Sequence, residues 1–302
     1  MAISRAQLAK ELEPGLNALF GLEFGRYENE HSEIYEEESS DRAFEEEVML
    51  GGFATAPVKS EGGAISFDDA QETYTARYTH ETIALAFSIT EEAIEDNLYD
   101  RLASRYTKAL ARSMATTKQI KAASILNNAF STGANVIGDG AALCSASHPS
   151  LSGTQTNLLA VAADLNETSL EQMLIDIAGF TDERGLKIAV RGTKLIIPKE
   201  LQFIAERVMN SALRSGTSDN DNNAMKNMGM LPEGAVVNHY LTDTDAFFIK
   251  TDAPNGFKYF NRAAIKTAME GDFDTGNMRF KARERYSFGV SDWRCVFGTP
   301  GA

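Results

Sequence analysis

Ile94, Leu98, Leu102, Tyr106, Leu110 and Met114 recur at every fourth residue. This spacing predicts a helix over 90–130, with Thr90 as its N-cap and Glu91 and Glu92 in a first turn that favours negative charge. Forty helical residues would span about 60 Å. A compact globule of this chain's length is only about 50 Å across. Such a helix has to act as a spine that touches several layers in turn. A step of four residues overshoots a full turn by about 40°, so the apolar stripe winds around the helix. Any kink is expected at the β-branched pair Thr116-Thr117.

The segment before the spine predicts a long hairpin. Strands are expected at 48–58 and 71–89, around a Gly-rich turn, Lys59-Ser-Glu-Gly-Gly-Ala-Ile-Ser-Phe-Asp-Asp69. In the second strand Ile83, Leu85, Phe87 and Ile89 share one face. Tyr74, Ala76 and Tyr78 take the opposite parity, so the buried face changes midway, as a bulge or strong twist would allow. A two-stranded hairpin is marginal in water alone. It needs a third surface, which a partner subunit can supply, and Tyr74 and Tyr78 are the expected contacts.

Upstream, residues 4–20 predict a short amphipathic helix carrying Leu8, Leu12, Leu16, Leu19 and Phe20, broken at Pro14-Gly15. Residues 28–47 are strongly acidic, with Arg42 as the one cation. They predict either a solvated stretch or an arm docked on a basic surface of a neighbour. Downstream, 131–160 is a Gly/Ser/Ala-rich connector with room for a short hairpin. An α/β unit follows. Asn166-Glu-Thr-Ser169 starts a helix whose apolar face is Leu170, Met173, Leu174, Ile177 and Phe180. Lys194-Leu-Ile-Ile-Pro198 is a short buried strand, and 199–214 is helical, with Leu201, Ile204, Ala205 and Val208 inward. Residues 215–229 form a loop, and strands follow near 235–240, 246–250 and 257–260. In the last stretch Met278, Phe280 and Ala282 alternate, and an apolar ending contains Tyr286, Phe288, Trp293, Val296 and Phe297.

The chain carries little that predicts chemistry. Its four histidines, His31, His80, His148 and His239, lie in four separate segments. His80-Glu81 begins like a zinc-protease motif, but position 84 is Ala. Gly192-Thr-Lys194 has the wrong order for a phosphate loop, and Gly138-Asp-Gly140 lacks the third glycine of a dinucleotide loop. Asp219, Asp221 and Asn223 have calcium-loop spacing, yet Ala224 and Met230 stand where that loop needs Gly and Glu. Cys144 and Cys295 are read as two unrelated free thiols. No catalytic, cofactor-binding or metal site is expected. The formal charge of −14 and the lack of a Lys/Arg cluster argue against tight DNA binding. With neither a signal peptide nor a continuous apolar span, synthesis in the cytoplasm and no membrane partner are expected.

The order of these elements resembles the major capsid proteins of tailed bacteriophages, which have the Johnson fold. The residues that carry it are the acidic arm, the hairpin at 43–89, the spine at 90–130 and Ser147-His-Pro-Ser150. Leu195-Ile-Ile-Pro198, the loop at 210–232 and the ending Arg285-Tyr-Ser-Phe-Gly289 followed by Phe297-Gly-Thr299 complete it. The resemblance implies an α+β fold: an N-terminal arm at 1–42, an extended loop at 43–89 reaching over an adjacent subunit, and a peripheral domain from 90–160 and the return strands 262–302. An axial domain at 161–261 would place the 210–232 loop near the capsomer centre. It implies hexamers and pentamers of an icosahedral shell around packaged double-stranded DNA, held without specific binding, in a virion assembled in a host bacterium. Expected contacts between copies are Lys59, Phe67, Tyr74, Tyr78, Glu36, Glu37, Met225 and Met228. The family also implies a portal and possibly decoration proteins. The arm is too short for a built-in scaffold, so a separate scaffold is expected. Lys59 has no identifiable catalytic partner, so covalent cross-linking is not expected.

Three other readings stay open at this point. A cellular nanocompartment shell of the encapsulin type would share the fold and usually lacks the long hairpin. A cytosolic enzyme built on the 161–261 unit is weakened by the missing motifs. A tail or baseplate protein is disfavoured by a long helix in the middle of the chain.

Overall fold

The computed structural model describes residues 5–90, 92–93, 99–132, 137–213, 221–272 and 275–302. In chain order its elements are α1 (Arg5–Phe24), β1 (Glu36–Ser39), β2 (Phe44–Gly51), β3 (Gln71–Thr79), β4 (Glu81–Ile89) and α2 (Tyr99–Asn127). Next come β5 (His148–Ser150), β6 (Gly153–Gln155), α3 (Glu167–Ala178), β7 (Gly192–Ile197), α4 (Gln202–Asn210) and α5 (Ala224–Met228). The chain ends with β8 (Ala235–Val237), β9 (Phe247–Thr251), β10 (Phe257–Gly271), β11 (Met278–Val290) and β12 (Val296–Thr299).

The spine is α2, with 29 residues, or about 43 Å at 1.5 Å per residue. Ile94 and Leu98 of the sequence stripe lie outside the described residues. The Thr90 hydroxyl does accept the Ala93 N–H, at 3.4 Å, as an N-cap would. The helix runs through Thr116-Thr117 without interruption, and the Thr117 hydroxyl donates to the Ser113 carbonyl at 2.8 Å. Its buried face winds, as the spacing requires. Ala103, Leu110, Ala111 and Met114 pack with Leu16 and Phe20 of α1 and with Phe280 and Ala282 of β11. Ala122, Ile125 and Leu126, further along, belong to a second and larger core that includes β7, β9 and β12. Tyr106 instead turns outward against Phe87, ring centroids 5.7 Å apart.

Two expectations for the N-terminal segment are corrected. Helix α1 continues through Pro14 to Phe24, with no break at Pro14-Gly15. A mid-helix proline costs about 3 kcal/mol, and burial of Leu16 and Phe20 against the spine offsets it. The acidic stretch is not a free solvated segment: it is anchored in its own subunit, although Glu28, Glu33, Glu36, Glu37, Asp41 and Glu46 stay exposed. Strand β1 pairs in parallel with β10, Ile34 and Tyr35 lie in the larger core, and the carboxylates meet the chain's own cations. Lys194 Nζ lies 2.9 Å from Glu33 and 3.1 Å from Glu233. Glu30 takes His239 at 2.8 Å, and Lys258 takes Glu38 at 3.0 Å.

The expected strand at 71–89 is two strands in two sheets. β3 pairs with β2 in the hairpin, and β4 pairs with β11 in the sheet β1-β10-β11-β4. The parity change read from the sequence is this handover, at the buried His80. Both its ring nitrogens are held at 2.9 Å, by Ser40 and by Ser287. The first hairpin strand is 44–51 instead of 48–58; past Gly51 the chain leaves the ladder until Gln71.

The second main sheet has the order β12-β9-β7-β8, with β7 and β8 parallel. Helix α3 lies on this core through Leu170, Met173, Leu174 and Ile177. Its start is a reciprocal capping box between Asn166 and Ser169. Helix α4 ends at Asn210, short of the expected 214. Strand β10 continues through 261 and 262, with a register irregularity between Asn261 and Ala263, so the division drawn there between axial and peripheral segments falls inside a strand.

Candidate functional site

The feature of interest is the hairpin β2–β3: how it is rooted, and what its far end presents. Phe44 pairs with Thr79 and Gly51 with Gln71, with a register irregularity between Val48 and Leu50. The root is fixed by close packing on the chain itself. Tyr78, only 3% exposed, stacks edge-on against Phe260 with centroids 4.8 Å apart. Its hydroxyl bonds to Ser291 Oγ, and Ser291 in turn donates to Glu47. The other oxygen of Glu47 takes Lys258. Burial alone would lower the Lys258 pKa, but Glu47 and Glu38 raise it above its ordinary value. The Tyr78 phenol is pushed well up by burial. On the other flank the β3 backbone presses on Gly138, where a Cβ would come within 2.5 Å of the Thr75 carbonyl.

Tyr74 is half-buried and its hydroxyl is enclosed without a partner. Tyr78, expected to face a neighbour, is therefore covered by its own subunit, and Tyr74 is covered in part. The parity was legible in the sequence; which molecule lay on that side was not.

Lys59 and Phe67, at the far end, are open to solvent. Phe67 is 97% exposed and Val58 99%, with Ile65 and Phe53 also exposed. Glu36 and Glu37 sit exposed on β1, near the root of the hairpin; Asn261 donates to Glu37 at 3.2 Å. Met225 is buried under α4, whereas Met228 is 70% exposed. The structure thus separates the expected contacts into three places: tip, β1 edge and α5.

No motif announced the buried polar cluster behind the hairpin. His148 stacks on Trp293 at 4.4 Å, with Nδ1 2.7 Å from Asp139 and Nε2 3.0 Å from Asn157. Arg294 is buried between Glu183 at 2.9 Å and Asp292 at 3.2 Å. Burial raises the Asp292 pKa against the pull of Arg294. This cluster ties the 137–160 connector to the C-terminal strand. Among the described residues no group of three His, Cys, Asp or Glu side chains could hold a metal ion. Asn223, from the calcium-like spacing, caps α5 and donates to the Val208 carbonyl. Cys144 and Cys295 are free and buried.

Comparison with known proteins decides what this framework is. The family model described as phage capsid protein matches residues 73–298. The chain belongs to the phage capsid protein family. No curated protein sequence matches it. Solved structures with the same fold include the capsid of a native GTA particle, at 12% identity, 91% of each chain and TM-score 0.55. A Mycobacterium phage Adephagia structure matches at 12% identity over 100% of this chain and 99% of the other, with TM-score 0.52. The virus-like particle from Pyrococcus furiosus matches at 9% identity over 94% and 97%, with TM-score 0.52.

It is a structural capsid protein with the α+β phage capsid fold, and its place is the capsid of a virion. The matched region contains the whole 161–261 unit, so that unit is part of the capsid protein. The encapsulin-type alternative is not favoured.

Proposed function

We propose that this capsid protein forms hexamers and pentamers of an icosahedral shell around packaged double-stranded DNA, with the hairpin tip lying on an adjacent copy. One observation carries the reading: residues 52–70 hold Val58 and Phe67 fully in solvent at the end of a hairpin whose root is rigidly packed. Exposed apolar groups on a projecting element mark a contact. Ring-closing contacts between identical copies suit such an arm. Lys59 and Phe67 would sit in the tip contact, Glu36 and Glu37 beside its root, and Met228, above buried Met225, near the capsomer centre. The net charge of −14 suits a container that holds DNA without gripping it. The protein has no enzymatic activity in this reading. It works with a separate scaffold and a portal, possibly with decoration proteins, and is made in the host bacterial cytoplasm.

Deleting residues 59–69 tests the arm. The expected product is a folded subunit, with an unchanged circular dichroism spectrum, that gives few shells beside its scaffold. A normal yield of stable shells would refute the assignment. Boiling assembled particles in detergent should release monomers; a ladder of covalent oligomers would show that Lys59 or another lysine cross-links.

A further inference from the structure

The spine is basic in an acidic chain. Net charge is −14 over the whole sequence, yet α2 holds Arg101, Arg105, Lys108, Arg112, Lys118 and Lys121 against one acid, Asp100. Lys118 and Lys121 are committed within the subunit, to Glu284 at 2.6 Å and to Glu81 at 2.7 Å. Arg105, Lys108 and Arg112 are exposed and make no ion pair among the described residues. Spaced by three and four residues, they form no run in the sequence. At about 100° per residue they fall within about 60° of one another around the helix. Ala103, Thr107, Leu110 and Met114 are buried on the opposite side, and Ala103, Leu110 and Met114 share a core there with Leu16 and Phe20 of α1 and Phe280 of β11. The cations therefore form a ridge about 10 Å long that points away from the core. Like charges at this spacing repel one another, and an anionic partner removes that cost.

We propose that this ridge is where the shell touches the phosphate backbone of its packaged double-stranded DNA. The proposal rests on reading the particle as a DNA container, and it names the surface that meets the duplex. Each strand carries a phosphate per about 3.4 Å of duplex axis, so the ridge faces about three of them. Ala109 and Ser113 stand exposed beside the cations, with Thr116 partly so. Small and hydroxyl side chains let a sugar-phosphate backbone come close, and phosphate contacts need no base edge. An acidic protein segment would meet the same charges, but stable protein docking also needs an apolar centre. The ridge offers none. Tyr106 lies about 100° round the helix from Arg105, against Phe87, and the exposed Ile120 lies about two turns beyond Arg112. Contacts from Arg105, Lys108 and Arg112 make the binding weak and independent of base sequence, with log K falling against log salt at a slope of about −2.7. The acidic remainder of the chain keeps it weak, so DNA is retained without being gripped. Repetition over the copies of a shell gives the sum its effect, because each contact raises the effective concentration for the next.

Titrating soluble subunits with a short labelled duplex of random sequence, at salt from about 20 to about 200 mM, tests this. The expected result is weak binding with the slope given above. Arg105→Gln, Lys108→Gln and Arg112→Gln together should leave the thermal midpoint unchanged, remove most of that slope and weaken binding roughly tenfold or more. Lys108→Gln alone, the milder change, should reduce the slope by about 1. A wild-type chain that does not bind the duplex at low salt, or a triple variant that binds as well as wild type, overturns the proposal. So does poly-glutamate that binds the wild type more tightly than a duplex of equal charge, which would assign the ridge to an acidic protein segment. In DNA-filled particles, formaldehyde should join Lys108 to DNA in preference to Lys121. Filled particles that give no such join overturn the ridge contact and leave the shell reading intact; a wild-type chain that forms no particles beside its scaffold overturns both.

Discussion

The ring of Tyr78 occupies the space a side chain at position 289 would need: a Cβ on Gly289 would stand 2.5 Å from Tyr78 Cε1. The hairpin root is seated on β11 by this contact. Gly289→Ala must displace the Tyr78 ring and with it the bond chain to Ser291 and Glu47. The expected cost is about 1–3 kcal/mol, read as a lower urea midpoint. Hydrogen exchange should quicken first at the amides of β2 and β3.

Lys118 and Glu284 join the spine to β11 at 2.6 Å, both largely out of solvent, with the ammonium near the rings of Phe24, Tyr259 and Tyr286. Burial raises the Glu284 pKa, and Lys118 opposes that rise. Lys118→Met leaves a buried carboxyl group without its cation and should cost about 3–5 kcal/mol. The double change Lys118→Met with Glu284→Leu should recover most of that loss, because it removes both charges from a low-dielectric site. Equilibrium denaturation of the two single variants and the double variant measures the coupling.

His31 gives the fold a pH dependence of known sign. The Gln119 side-chain oxygen accepts the His31 backbone N–H at 3.1 Å, so its amide nitrogen faces His31 Nδ1, at 3.0 Å. That bond needs an unprotonated Nδ1. Burial, aided by the charge of Lys118, holds the His31 pKa below 6.5. The unfolded chain therefore binds the proton more readily, and this stabilisation is complete above pH 6.5 and lost as pH falls toward the folded value. His31→Phe, packed against Tyr259 and Phe288 as His31 is, should flatten that loss. Urea midpoints at about pH 7.5 and about pH 5.5 for both proteins check it.

Local patterns were the legible part of this fold. The stripe from Tyr106 to Met114 marks the spine, and Asn166 with Ser169 marks the start of α3, because periodicity and capping act within a few residues. Long-range pairing was not legible. The acidic stretch read as solvated or as reaching for a neighbour, because nothing near Glu33 or Glu47 announces Lys194 and Lys258, 161 and 211 residues away. Pro14 was read as a break because the surface that holds α1 together is the distant spine. At the hairpin, parity located the change of face near His80, but a period of two does not say whether Tyr78 meets its own chain or another.

Asn157 is the most committed side chain behind the hairpin, and one atom of it can be changed. It is fully buried. Its amide nitrogen faces three carbonyl oxygens, of Leu143 at 2.7 Å, Val296 at 3.0 Å and Trp293 at 3.1 Å. Its oxygen accepts the Ser145 N–H at 2.8 Å and faces His148 Nε2 at 3.0 Å. Asn157→Asp keeps the shape and replaces a donor by an acceptor among those three carbonyls. A buried carboxylate facing carbonyls without a donor should cost about 3–5 kcal/mol, whereas Asn166→Ala, which removes only the cap of α3, should cost about 1 kcal/mol. Thermal midpoints of the two variants compare them directly. If Asn157→Asp proves no worse than Asn166→Ala, the connector is not held to the C-terminal strand by this amide.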